Sequence, residues 1–348
     1  MKYSTFRVLL SLFTIAFLFS CNKADRPSSL SDISNQTFTN GLRIDGHEYD
    51  SLIIENCVFK EKTLQIGNVD FVTIKNCTFE NIKGNGIMVG FIGPTSNISI
   101  EDCDFKTISY NGVDSHERAL DCIIKGCTFT DIALSQVGAS MGQPHHGIYW
   151  KGKNVSILNN TFNCEDQPFG NGISVRSSGL VSGNIISNAP KNGIMYYANH
   201  PGSDSLVIEN NFLINNNVYS IICGSDGNTS NHNENVLIRF NSMVQTTEES
   251  IYISGDFEGT TNIEIYGNIM VNSTGSYFKT FYTLNSIHTN LKSTSDIGFV
   301  NMSERDLHIL NSSEANGYCD SLSLFPALDI DGEVRIQNNL DAGADEIN

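Results

Sequence analysis

Apolar and polar residues alternate along most of the chain, in short blocks rather than long runs. The block from Leu52 to Phe59 is apolar at Leu52, Ile54, Cys57 and Phe59, and it recurs at Val72 to Phe79, Ile98 to Phe105 and Cys122 to Phe129. In the next copy, Val155 to Phe162, asparagine takes the cysteine position, and the column continues as Asn184, Asn211, Asn241 and Asn268. Successive members of this column are 20, 26, 24, 33, 24, 27, 30 and 27 residues apart. A period of two within each block predicts a strand. The longer recurrence predicts one repeating unit stacked along an axis.

A second strand follows in each repeat, at Asn85 to Val89, Asn111 to Ser115, His146 to Trp150, Asn171 to Val175 and Asn192 to Tyr196. Weaker copies run from Tyr219 to Cys223 and from Glu249 to Ile253. One strand pair per coil predicts an all-β, single-domain parallel β-solenoid whose coils stack at about 4.8 Å, so that equivalent residues form columns. The cysteine and asparagine column is expected inside, at a turn, with amides bonding along the stack and thiols packing as small apolar groups.

Composition supports this and narrows the function. The chain is 40% hydrophobic and only 17% charged, with 29 glycines against 7 prolines, which excludes a disordered chain and favours short strands joined by tight turns. A net charge of −17 makes a poor general binder of nucleic acid, so an anionic ligand would have to meet a local cation cluster, and a monomer is expected. Cys57, Cys77, Cys103 and Cys127 share the repeat position, so they are expected as reduced core thiols, with disulfides between neighbouring rungs as the other reading.

Residues 1–20 read as an export signal, with Lys2 and Arg7 ahead of the apolar run from Val8 to Phe19. Leu18 to Cys21 resembles a bacterial lipoprotein processing box. The resemblance implies lipid on Cys21, a tether over 21–35, and membrane contact only through that anchor, on the periplasmic or cell-surface side. An ordinary secretory signal with an incidental cysteine is the other reading.

The repeats resemble the right-handed parallel β-helix proteins of the pectin-lyase-like superfold, most clearly over residues 50–285. A β-helix is therefore expected over 36–298. The last segment, 299–348, with Asp306 to Leu310, Asp329 to Gly332 and Asp341 to Asp345, resembles the tail that closes many bacterial β-helix proteins. It is expected to be a cap. Asp329 to Gly332 lacks the ligand spacing of a calcium loop and reads as a turn.

With Ile148 and Trp150 inward, the second strands present two outward columns. One is Met88, Asp114, Tyr149, Ser174, Met195, Ile222 and Tyr252; the other is Gly90, His116, Lys151, Arg176, Tyr197, Gly224 and Ser254. Beside them Gly86, Gly112, Gly147, Gly172 and Gly193 are expected to let a ligand approach the backbone. Lys151 next to Arg176 is costly unless something anionic bridges them. A solvated face and an anionic-ligand site both fit. Paired cations suit β-elimination of a uronic-acid polysaccharide, where neutralising the carboxylate acidifies the neighbouring C5 proton. Lys151, Tyr197 or His116 would take that proton or protonate the leaving oxygen.

The run from Lys151 to Ile186, with Asn159 to Phe162, Ile173 to Arg176 and Val181 to Asn184, resembles the stretch bearing catalytic Lys and Arg in the alginate lyase and chondroitinase B family. Arg176 is followed by Ser177 and Ser178 where that family carries His-Gly. The resemblance implies Lys151 as base, Arg176 as acid or charge stabiliser, and calcium held near the lysine, with Asp114 and Glu117 the nearest candidates. Tyr149, His146, Ser174, His200 and Tyr252 complete the expected substrate contacts. His146 also reads as a turn residue, because it stands where other coils carry Asn. The expected function is a lyase acting on an acidic polysaccharide. A non-catalytic glycan-binding lipoprotein is the alternative, and a glycoside hydrolase, lacking a carboxylate pair on the columns, comes third.

Overall fold

A computed structural model of the chain describes residues 32–46, 51–135, 144–198, 200, 205–224, 235–255, 262–281 and 286–347. The signal, Cys21 and the expected tether up to residue 31 lie outside them, and Ile33–Ser34, within the expected tether, already forms the first strand of the solenoid. Three parallel sheets of eleven, eleven and ten strands run along one axis, each strand hydrogen-bonded to its equivalents in the coils before and after. The first sheet begins at Ile33–Ser34, the second at Thr37–Phe38 and the third at Leu42–Asp45.

Each coil holds three strands rather than the expected pair. The block from Leu52 to Phe59 is two strands, Leu52–Glu55 and Val58–Lys60, bent at Asn56. Asn56 has φ 53°, and Asn76, Asp102, Gly126, Asn159, Gly183 and Asn210 repeat the left-handed geometry at the same place. Asn, Asp and Gly enter that region at least cost, so the corner is written in the residue before the ladder.

The ladder itself forms as expected. The backbone N–H of Cys127 donates to Asn160 Oδ1 (2.9 Å), and the amides of Asn160, Asn184, Asn211, Asn241 and Asn268 each receive or pass on such a bond, ending at Asn290. Cys57, Cys77, Cys103 and Cys127 are buried free thiols. Beneath them Phe38, Phe59, Phe79, Phe105, Phe129 and Phe162 stack with centroids 4.5–5.0 Å apart.

That stack corrects the reading of the glycine column. A Cβ on Gly112 would meet Phe129 Cδ1 at 2.8 Å, and one on Gly147 would meet Phe162 Cδ1 at 2.7 Å. These glycines face inward and make room for the phenylalanines, not for a ligand.

The last parallel strands are Leu291–Ser293 in the second sheet and Ser286–His288 in the first. Beyond them Phe299–Asn301 and Asp306–Ile309 form an antiparallel pair. The tail does not simply close the end. It folds back along the outer face of the second sheet, burying Leu307, Ile309, Leu340, Ala342 and Ala344 against Phe212, Ile214, Val244, Ile269 and Leu291. Arg305 reaches Asn163 and Ser187, and Ala344 N–H donates to Ser242 Oγ (3.0 Å). The physical cause is apolar residues on both faces of the later second-sheet strands, which need a cover.

Candidate functional site

The outer face of the third sheet has the register expected of it. Met88, Asp114, Tyr149, Ser174, Met195, Ile222 and Tyr252 are paired in succession, and the column extends to Arg43 and Gln65 on one side and to Lys279 on the other.

Lys151 leaves the end of strand Ile148–Trp150. Its Nζ lies 3.3 Å from Asp114 Oδ1, 4.5 Å from the Tyr149 ring centroid and 5.1 Å from that of Phe91. Arg176 follows strand Ile173–Val175 one coil later, its Cζ 5.2 Å from the Tyr149 centroid and 5.1 Å from the Tyr197 centroid. The two cations therefore share the Tyr149 ring, whose negative face offsets part of their repulsion. Lys151 is placed among a carboxylate and two ring faces, all of which attract an ammonium.

Asp114 is held from below as well. Its Oδ2 accepts from the side-chain amides of Asn85 (3.3 Å) and Asn111 (3.2 Å). Those amides cannot turn their oxygens toward a cation there, because the oxygens accept the backbone N–H groups of Asn111 and His146. Burial raises the Asp114 carboxyl above its usual value, against the opposing pull of Lys151. Glu117, the other calcium candidate, faces His200. With an ammonium and two amide donors on Asp114, this donor set does not fit a calcium ion, which takes 6–8 oxygens.

His200 Nδ1 lies 3.3 Å from Glu117 Oε2, across 83 residues of sequence, and its backbone N–H donates to the Arg176 carbonyl (3.2 Å). Burial, opposed by Glu117, lowers the His200 pKa, so near neutral pH the ring is uncharged. Nδ1–H then donates to Glu117, and the lone pair stands on Nε2. His116 is also lowered, by burial and then by Arg118. Its Nδ1 accepts from Arg118 Nε (3.3 Å), and its ring meets Phe91 edge-on at 5.6 Å.

Asp114, His116, Glu117, Tyr149, Lys151, Arg176, Tyr197 and His200 thus come together. Three expected substrate contacts are not placed to meet a ligand there, although the His146 ring packs 5.2 Å from that of Tyr149. His146 is 2% exposed and belongs to a second ladder: its N–H donates to Asn111 Oδ1, and its Nδ1 accepts from Asn171 N–H (3.0 Å). Burial holds its pKa well below the ordinary value, so it is a neutral structural imidazole. Ser174 is fully buried between its larger column neighbours Tyr149 and Met195 and cannot touch a ligand from solvent. Tyr252 lies four rungs from Tyr149, stacked on Tyr219 at 4.7 Å. Sequence reasoning missed Phe91 and Arg118, which sit outside the repeat. Asn85 and Asn111, which anchor Asp114, were legible as the residues opening each third strand.

Residues 62–268 match the family described as right-handed β-helix region, and the chain belongs to that family. The parallel solenoid is accordingly right-handed. No curated protein matches the chain. Among solved structures, a double-mutant tailspike protein of the E. coli bacteriophage HK620 is similar at 12% identity and a TM-score of 0.36, over 74% of this chain and 67% of that one.

Proposed function

We propose that the protein cleaves a uronic-acid-containing polysaccharide by β-elimination on the outer face of its third sheet. The observation that carries this reading is the pair of cations, Lys151 and Arg176, sharing the Tyr149 ring beside an uncharged imidazole oriented by a carboxylate. The cations take the uronate carboxylate and stabilise the charge that develops as C5 loses its proton. His200 Nε2 accepts that proton. The C5–H and C4–O4 bonds break, the C4–C5 double bond forms, and the departing oxygen receives a proton from the Tyr197 hydroxyl. Lys151, expected as the base, is assigned the role of charge stabiliser, because its ammonium pairs with Asp114 and lies beside the Tyr149 and Phe91 rings. The same proposal includes export and lipid attachment at Cys21.

The test is ultraviolet absorbance from unsaturated uronates when the protein meets alginate, polygalacturonate and chondroitin sulfate. Lys151→Ala and Arg176→Ala each lower the rate by roughly 100-fold or more, the scale of a lost charge stabiliser. A flat wild-type signal with retained binding to one polymer sinks the lyase and leaves a glycan-binding protein.

A further inference from the structure

The outer column of the third sheet carries a second cluster that the cation site does not use. Tyr252 stacks on Tyr219 with centroids 4.7 Å apart and planes 12° from parallel. Phe281 stands edge-on to Tyr252 at 6.2 Å and is 62% exposed. Lys279 Nζ lies 5.6 Å from the Tyr252 centroid and 5.8 Å from that of Phe281. Lys60, Lys75, Lys106 and Lys125, on the other two sheets, each meet a glutamate. Among the described residues no carboxylate lies within ion-pair distance of Lys279. Burial first, then the charges of Glu249 and Glu248, raise the Tyr219 hydroxyl, whereas Lys279 lies beside the Tyr252 and Phe281 rings, so Lys279 marks the side that accepts an anion.

Tyr149 and Tyr252 belong to one column, separated by Ser174, Met195 and Ile222. Four rungs span about 19 Å at the strand spacing. Met195 and Ile222, 8% and 7% exposed, make a low apolar floor between the two ends. A polymer lying along this column reaches the second cluster several sugar units from the cations.

We infer that Tyr219, Tyr252, Lys279 and Phe281 form a distal subsite for the same acidic glycan, so that the protein selects long chains over short ones. Sugar rings stack on the exposed aromatic faces, and Lys279 takes a uronate or sulfate. The inference rests on the reading of the cation site as the place where an acidic polysaccharide binds. A chain held at both ends gains affinity because the second contact forms within an already bound complex.

The experiment compares disaccharides with oligomers of roughly ten units from alginate, polygalacturonate and chondroitin sulfate, by binding calorimetry and by the absorbance assay. The long oligomer is expected to bind about tenfold more tightly or better, the gain of roughly one productive extra contact. Tyr252→Ala and Phe281→Ser each shrink that advantage to below about threefold. Phe281 is largely exposed, so its variant keeps the fold, checked by far-ultraviolet circular dichroism. Turnover with no length advantage overturns the distal subsite and leaves the lyase reading standing. Length-dependent binding that Tyr252→Ala removes, without turnover of any polymer, supports the subsite and sinks the lyase reading. No binding of any of the three polymers overturns both.

Discussion

The outer faces of the second and third sheets are made from the same short period-two strands, yet among the described residues the tail covers one, whereas on the other the outward side chains bury one another and leave Tyr149, Lys151, Tyr197 and Tyr252 partly exposed. On the later second-sheet strands, Phe212–Ile214, Ser242–Val244 and Ile269–Val271, every residue is buried, because the tail lies over them. On the third sheet the corresponding outward positions carry Asp114, Tyr149 and Tyr252, with Lys151 and Arg176 just past the strands, and no chain segment among the described residues forms a second core there. A solenoid interior asks the same of every coil, so what distinguishes its faces is the outward residue. Here the apolar outward column of the second sheet recruits the tail, and the column carrying Asp114, Tyr149 and Tyr252 does not.

The comparison breaks most sharply at Arg335. Its Nη1 lies 2.9 Å from Glu346 Oε2, both side chains are fully buried, and Nη2 donates to Asn210 Oδ1 (3.1 Å) and to the Gly343 carbonyl (2.8 Å). Arg335→Ala strands the Glu346 carboxylate under the tail, at a cost of about 3–5 kcal/mol. Urea unfolding measures it. A loss below about 1 kcal/mol would mean that the tail is an ornament on the second sheet and not part of its core.

The histidines of the two faces titrate in opposite senses, although Asp114 on the third sheet is raised by burial as Asp345 is under the tail. Under the tail, burial works against charge on His308, but Asp306, Asp345 and Asp331 together outweigh it and raise its pKa. Burial raises Asp345 to about 6. A raised folded value gives stability that is complete below the unfolded value and lost as pH rises through the folded one. The tail therefore loosens from about pH 4 upward through Asp345, and further above about pH 6.5 through His308. On the outer face of the third sheet His116 and His200 are lowered, so their contribution is complete above about pH 6.5 and lost on acidification. Hydrogen exchange between pH 5 and 8 separates the two: tail amides protect less as pH rises, amides of the third sheet protect more. His308→Gln flattens the upper part of the tail's change. Equal slopes on both faces would be the contrary result.

Much of the interior was legible because a stack demands the same residue type at the same place. The ladder at Asn160, Asn184 and Asn211 and the outward register through Tyr149 both follow from spacing alone. The corner at Asn56 was missed although the sequence marks it, since the apolar alternation slips by one between Ile54 and Cys57 and the left-handed preference of Asn falls in that gap. The fold-back of the tail was hidden, because residues 299–348 have no period. Its dock did leave a trace in the doubly apolar Phe212-Leu213-Ile214. Within the site, Lys151 and Arg176 came from the column, whereas Glu117 meets His200 through loops, and no periodic rule brings loops together.

The smallest effect belongs to the part of the second sheet that the tail does not reach. In the early coils its outward positions are polar apart from Val58, and Glu80 bridges Lys60 (2.8 Å) and Lys106 (3.1 Å) on neighbouring rungs. Those lysine side chains are 43% and 51% exposed, so water already solvates most of what the pair offers. Glu80→Ala therefore costs within about 0–1 kcal/mol by urea unfolding, and the difference shrinks further in high salt, where the repulsion left between the two lysines is screened. If Glu80→Ala cost as much as Arg335→Ala, stability would be spread evenly along the second sheet, and its covered half would not be a second core.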